Sequence, residues 1–263
     1  MKRILNLIIL DELPKDKRRF DFGPVFLLIF IYSIGFYAAL ALLSIGPLSG
    51  MFIDFFHARF LGGLDTSRYL EAAGKYFYGA LAQNLSQDLI NFSLVICGIH
   101  VYRLSREEIG VKFHNAGVLV AYTLNAIWIT FLLDNVHCWL MRFHYGLYST
   151  KSNIVAYSVA HELGWTYTLF DIGIVGPIIE ELFFRGVAYN VLRRNVKESW
   201  AVFLSCFAFA FVHLDIYAFP LYFTSGLILT IAYSKTRNIF IPIFVHGFTN
   251  IIYKVAVIYY FPL

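Results

Sequence analysis

The sequence predicts an all-α fold, a polytopic bundle of about seven transmembrane helices with eight as the alternative. Three observations carry this. Of 263 residues, 59% are hydrophobic, 19% aromatic and only 14% charged, where soluble domains average roughly 45–50% apolar and 25% charged. Mean hydropathy is +0.66. Apolar runs of about 20 residues, the length a helix needs to cross hydrocarbon, recur between short polar turns. The formal charge of +4 sits mostly in loops, where it reports orientation and gives no reason to expect nucleic acid. Cys97, Cys138 and Cys206 show neither CxxC spacing nor even pairing, so neither a disulfide framework nor a zinc ribbon is expected.

Residues 1–23 open with two cations and a short apolar run, but Asp11 and Glu12 follow where a signal peptide needs a cleavage site. They read as a retained cytoplasmic or interfacial leader before a single membrane domain over 24–263. Residues 25–45 are uncharged and bounded by Pro24 and Gly46-Pro47, a first span. A mixed polar loop covers 46–75. The second span, 77–102, is diluted by Gln83, Asn84, Gln87 and Asp88, which either line a cavity or mark a helix that starts outside the bilayer. A charged loop at 103–115 leads to the third span at 116–133.

Residues 134–163 read as a long connection, with His137, His144 and His161 as solvated or interfacial groups. His161-Glu162 fails as an HExxH zinc motif because position 165 is Trp165. The fourth span covers 166–192, and a polar turn at 195–198 precedes spans at 199–214 and 218–233. A tight turn at 234–238 leads to the last span, 239–260. Alternation from a cytoplasmic N-terminus puts fourteen lysines and arginines in the inner segments and five in the longer outer ones, as the positive-inside rule asks. An extra span within 134–163 would break that alternation. There is no internal repeat, so a transporter has only its intramembrane charges in favour.

The chemistry concentrates in 176–254. Glu180, Glu181 and Arg185 lie inside an apolar run, where each charge costs roughly 2.5–3.5 kcal/mol unless paired or wet. Glu181 and Arg185 are four apart, acid first, which pairs them on one helical face. Glu180 lies about 100° around the helix and is the candidate for chemistry. His213 is as far beyond the turn at Val196-Lys197 as Glu180 is before it, so an antiparallel pair would bring them to one height. His246 and Asn250, four apart on the last span, share a face, although their depth below the 234–238 turn does not match that of Glu180. A carboxylate with a histidine can hold and deprotonate water; a second histidine and an asparagine can donate to a developing oxyanion. Glu180, His213 and His246 could equally ligate a divalent metal such as zinc, and spacing leaves both routes open.

Glu180-Glu181 with Arg185, Phe209 with His213 and His246 with Asn250 read as EExxxR, FxxxH and HxxxN in order. The chain thereby resembles the CPBP family of intramembrane proteases, which includes the CAAX prenyl endopeptidases and the bacterial Abi proteins linked to bacteriocin immunity. Pro177, Gly186 and the REEIGV segment at 106–111 add to the likeness. The resemblance implies that Glu180 and His213 activate a water, His246 and Asn250 stabilise the oxyanion, and Glu181 and Arg185 support them. It implies a multi-pass protein of a bacterial plasma membrane, surrounded by lipid, that cleaves a peptide or lipidated protein and needs no cofactor, with zinc as the alternative. The rival reading is a non-catalytic immunity or scaffold protein that binds a peptide partner.

Overall fold

The computed structural model describes residues 29, 32, 77–112, 116–145, 164–213, 215 and 218–260. The leader expected at 1–23, most of the span at 25–45, the loop at 46–75 and residues 146–163 lie outside the described residues. Every regular element among the described residues is helical, as the expected all-α class requires.

Helix α1 (Phe77–Val101) turns into the one-turn helix α2 (Arg106–Ile109). A capping box fixes α2: the Glu108 amide donates to Ser105 Oγ (3.2 Å) and the Ser105 amide to Glu108 Oε2 (2.9 Å). Its C-cap, Gly110, has a φ of 85°, and a Cβ there would stand 2.7 Å from the Arg237 carbonyl oxygen, so this turn requires glycine.

Helix α3 (Ala116–Tyr145) corrects the expected connection at 134–163. The helix runs on past residue 133, and His137 is buried in its wall instead of solvated. Asp134 and Arg142 suggested a loop, but charges do not stop a helix. Glycine and proline do, and none occurs until Gly146.

Helix α4 (165–195) is continuous but changes hydrogen-bond register repeatedly. Asp171–Val175 and Leu182–Tyr189 are π-helical, and the six-residue α-turn Gly176–Glu181 lies between them. Helices α5 (Glu198–Phe211), α6 (Phe219–Thr236) and α7 (Phe240–Tyr260) complete the bundle. Their limits lie close to the expected spans. Helix α4 sits at the centre, packed by α1, α2, α5 and α7; α6 lies along α5, and α3 closes over α6 and α7. Phe183, Phe184, Val187, Val191 and Phe209 form the core beside the acidic pair, with Tyr32 stacked on Phe183.

Large apolar side chains cover the outside of the bundle, including Leu89, Trp128, Trp139, Trp200 and Phe244. Among the described residues no helix is long and apolar enough to cross a membrane. Helix α5 has 14 residues, about 21 Å at 1.5 Å per residue. Helices α1, α4 and α7 are interrupted by the polar residues that build the site.

Candidate functional site

The two π-helical stretches follow from the sequence around the glutamates. In the first, the Gly176 amide donates to Asp171 O, one residue further back than in an α-helix. That takes the Gly176 donor away from Ile172 O. The next donor in π register would be the amide of residue 177, which is proline and has none. Ile172 O is thus left without a helical partner, and Asn250 Nδ2 of α7 donates to it at 3.0 Å. In the second stretch the carbonyls of Arg185 and Gly186 are served by Asn190 Nδ2 at 3.0 and 2.8 Å. Register shifts of this kind cost helix hydrogen bonds, and the two amides repair them from the side chain.

Between the shifts, Glu181 and Arg185 form a fully buried ion pair, Oε1 to Nη1 at 2.8 Å. The rest of the guanidinium is spent on α6: Nη2 donates to Gly226 O (3.0 Å) and Nε to Thr230 Oγ1 (3.3 Å). Its plane lies 4.5 Å over the Phe209 ring. His246 Nδ1 donates to the same Glu181 Oε1 at 2.8 Å. That bond fixes the ring and turns Nε2 toward Glu180, whose Oε2 is 3.9 Å away. Glu180 Oε2 is buried and accepts no hydrogen bond.

The mismatch of depths disappears once the turns are located. Arg237 Nη2 donates to Asn190 Oδ1 (2.9 Å) and to Glu108 O (3.1 Å). The Ile239 amide donates to Gly110 O (3.0 Å). The turn before α7 is therefore docked at the level of Asn190, not at the end of α4. From Asn190 back to Glu181 is about 13 Å of helix, and from Asn238 on to His246 about 12 Å, at 1.5 Å per residue. The REEIGV segment is thus the wedge that sets the height of α7. Close passage of α7 over α4 completes the placement, because a Cβ on Gly247 would overlap the Gly173 carbonyl.

His213 lies in the turn after α5. Its Nδ1 donates to Phe209 O at 2.7 Å, which leaves Nε2 as the ring's other polar atom. The ring stacks on Tyr222 at 3.9 Å between centroids. Phe209 stands edge-on to both histidines, 5.0 Å from His213 and 5.7 Å from His246. Among the described residues no three His, Cys, Asp or Glu side chains gather as a metal ion requires. No step is derived through a metal at Glu180, His213 and His246.

Sequence reasoning passed over Asn190 and Thr230, whose roles depend on π register and on which carbonyls it exposes. It also gave no weight to Asp171, whose carboxyl group interacts with that of Asp88.

These features define an all-helical bundle with an acid–histidine centre buried against an arginine. Residues 162–252, which hold all of that centre, match the family model described as Type II CAAX prenyl endopeptidase Rce1-like. The resemblance read from the three motifs is shown over this segment. YdiL of Bacillus subtilis, named as a candidate membrane peptidase, is 35% identical over 77 residues, 29% of this chain and 32% of that protein. The membrane-embedded CAAX protease MroQ of Staphylococcus aureus is 33% identical over 88 residues, 31% of this chain and 36% of its own. The UPF0177 protein YbdJ of Lactococcus lactis is 37% identical over 89 residues, 34% and 38% of the two chains. The chain thus spans about a third of the length of these relatives. No solved structure matches.

Proposed function

We propose that the chain is a multi-pass membrane endopeptidase, its N-terminus cytoplasmic, that hydrolyses a peptide bond in a membrane-associated or lipidated substrate. The observation that carries this reading is the open acceptor of Glu180 facing His246 Nε2 across 3.9 Å. A water hydrogen-bonded to both at about 2.8 Å fits that gap. Support for the class comes from the family match over 162–252 and from relatives whose names describe membrane peptidases. Support for the membrane comes from mean hydropathy and from the apolar outer surface of the bundle.

In the proposed reaction Glu180 takes a proton from a water that His213 Nε2 helps to orient, and the hydroxide adds to the scissile carbonyl. The tetrahedral oxyanion is met by His246 in its imidazolium form, through Nε2–H, and by the second N–H of the Asn250 amide. Glu180 then returns the proton to the departing amine. Glu181 and Arg185 hold His246 in place and do not touch substrate. These roles are the ones that the family resemblance implies, and the buried Glu181–Arg185 pair with its bond to His246 supports them.

The test is cleavage of a quenched-fluorescence peptide library by the purified full chain in detergent. Glu180→Gln should lower turnover by about 10²–10⁴, the range for loss of a positioned base, while melting as wild type does. Activity before and after chelation should agree within about twofold. Cleavage by Glu180→Gln at the wild-type rate refutes the assignment, and full biological function without cleavage supports the non-catalytic alternative.

A further inference from the structure

Helix α1 presents two contrasting faces. Leu85, Leu89, Phe92 and Ile96 are exposed, whereas Asn91 and Val95 are buried where α1 packs on the acidic stretch of α4. Gln87 and Asp88 precede Asn91 by one helical turn and share its inward face. Asn91 is 7% exposed, yet among the described residues its Oδ1 has no hydrogen-bond partner, and neither does Gln87 Oε1. Buried polar atoms are nearly always paired, so two in one turn call for an explanation. Both are acceptors, as is Glu180 Oε2.

Across from them stands Asp171 of α4, close enough to Asp88 for the two carboxyl groups to interact. The charges of Asp88 and Asp171 both reach Glu180. The wall between α1 and α4 therefore offers oxygen acceptors in excess and negative charge. The group that complements it is cationic and rich in N–H donors.

We propose that Gln87, Asp88 and Asn91 of α1, with Asp171 of α4, form a subsite beside Glu180 for the guanidinium or ammonium group of a basic residue in the peptide substrate. The proposal rests on the endopeptidase reading and sharpens it to a substrate class. A guanidinium has five N–H donors and an ammonium three, enough to satisfy the two amide oxygens while facing the carboxylates. Charge-assisted hydrogen bonds of this kind are worth about tenfold or more in affinity.

Matched quenched peptides, carrying arginine or its neutral isostere citrulline at each position in turn, test it on the wild-type chain. Arginine at one fixed distance from the scissile bond should raise kcat/KM about tenfold or more over citrulline, chiefly through KM. In Asp88→Asn and Asn91→Leu the preference for arginine over citrulline should fall to about twofold or less. A second arm measures thermal stabilisation of the full chain by arginine methyl ester, expected in wild type and lost in Asp88→Asn. Peptides cleaved without regard to arginine overturn the subsite and leave the endopeptidase reading standing. Stabilisation by the ester without any cleavage supports the subsite and overturns the endopeptidase reading. A preference that survives both substitutions overturns the assignment to these residues.

Discussion

Replacing Arg185 by methionine should be among the most damaging single changes in the chain. The guanidinium is fully buried, bonded to Glu181 at 2.8 Å, to Gly226 O at 3.0 Å and to Thr230 Oγ1 at 3.3 Å. Gly226 O keeps a partner when the arginine goes, because Thr230 Oγ1 donates to it at 2.7 Å. Glu181 does not fare so well. Its Oε1 keeps only His246, its Oε2 has no partner already, and its side chain is wholly out of solvent. Stranding one member of a buried ion pair costs about 3–5 kcal/mol. Glu181→Gln should cost a similar amount by stranding Arg185. The double variant removes both charges, so its loss should fall short of the sum of the singles by about 2 kcal/mol or more. Denaturant unfolding in mixed micelles, followed by tryptophan fluorescence, reads all four corners of the cycle. Coupling below about 0.5 kcal/mol, the scatter expected of independent sites, would refute the view that these two charges hold each other in the core.

Asn250→Ala should cost about 1–3 kcal/mol by leaving Ile172 O without a donor, and Pro177→Ala in the same chain should recover part of it by restoring the missing amide; equal stability with and without that second change, on the same unfolding assay, would count against the π-register argument. Gly247→Ala should destabilise by about 1–3 kcal/mol through the clash with Gly173. Because it lifts α7 off α4, it should also lower peptide turnover more than a distant change of equal cost. Glu108 gives a pH dependence. Burial alone would raise its pKa, but the Arg194 hydrogen bond and the Ser105 amide outweigh burial and hold it below the ordinary glutamate value of 4.5. A depressed folded pKa means the stabilisation is fully present above about 4.5 and is lost as pH falls through the lower folded value. Glu108→Gln should therefore flatten stability against pH below about 4.5 and leave the slope above it unchanged, as acid titration of the melting temperature would show.

Much of the helix order was legible because apolar runs and their polar interruptions are local signals. The turns at 195–198 and 234–238 announced themselves through charge, and α4 to α7 fall close to where those turns put them. The end of α3 was not legible in the same way: Asp134, His137 and Arg142 look like a loop by composition, and only the absence of a helix breaker before Gly146 argues otherwise. The pairing of Glu181 with Arg185 could be read from their spacing. Its third member, His246, could not, because its depth depends on where the turn before α7 docks. That docking is made by Gly110, Asn190 and Arg237, three residues from three parts of the chain with no common pattern. Asp88 and Asp171 are also far apart in sequence, and each alone looks like a diluted span.

The same contrast explains why the centre tolerates so much charge. Glu181, Arg185 and His246 are bound to one another and to α6, so the arginine offsets the buried carboxylate next to it and the histidine gains a fixed orientation. Glu180 has no such partner on its own helix, and its neighbours, Asp88 across the α1 contact and Asp171 on α4 itself, are acids as well. An acceptor this close to other acids is a poor device for holding helices together, since Asp88, Asp171 and Glu181 oppose its charge and only His246 and Arg185 offset it. It suits a site where a polar substrate or water supplies the missing donors. Removing the carboxylate with Glu180→Leu should therefore leave the folded chain as stable as wild type or more so, while Arg185→Met costs about 3–5 kcal/mol. If the two substitutions cost the same in the unfolding assay, Glu180 is part of the scaffold and the water-activating role proposed for it is lost.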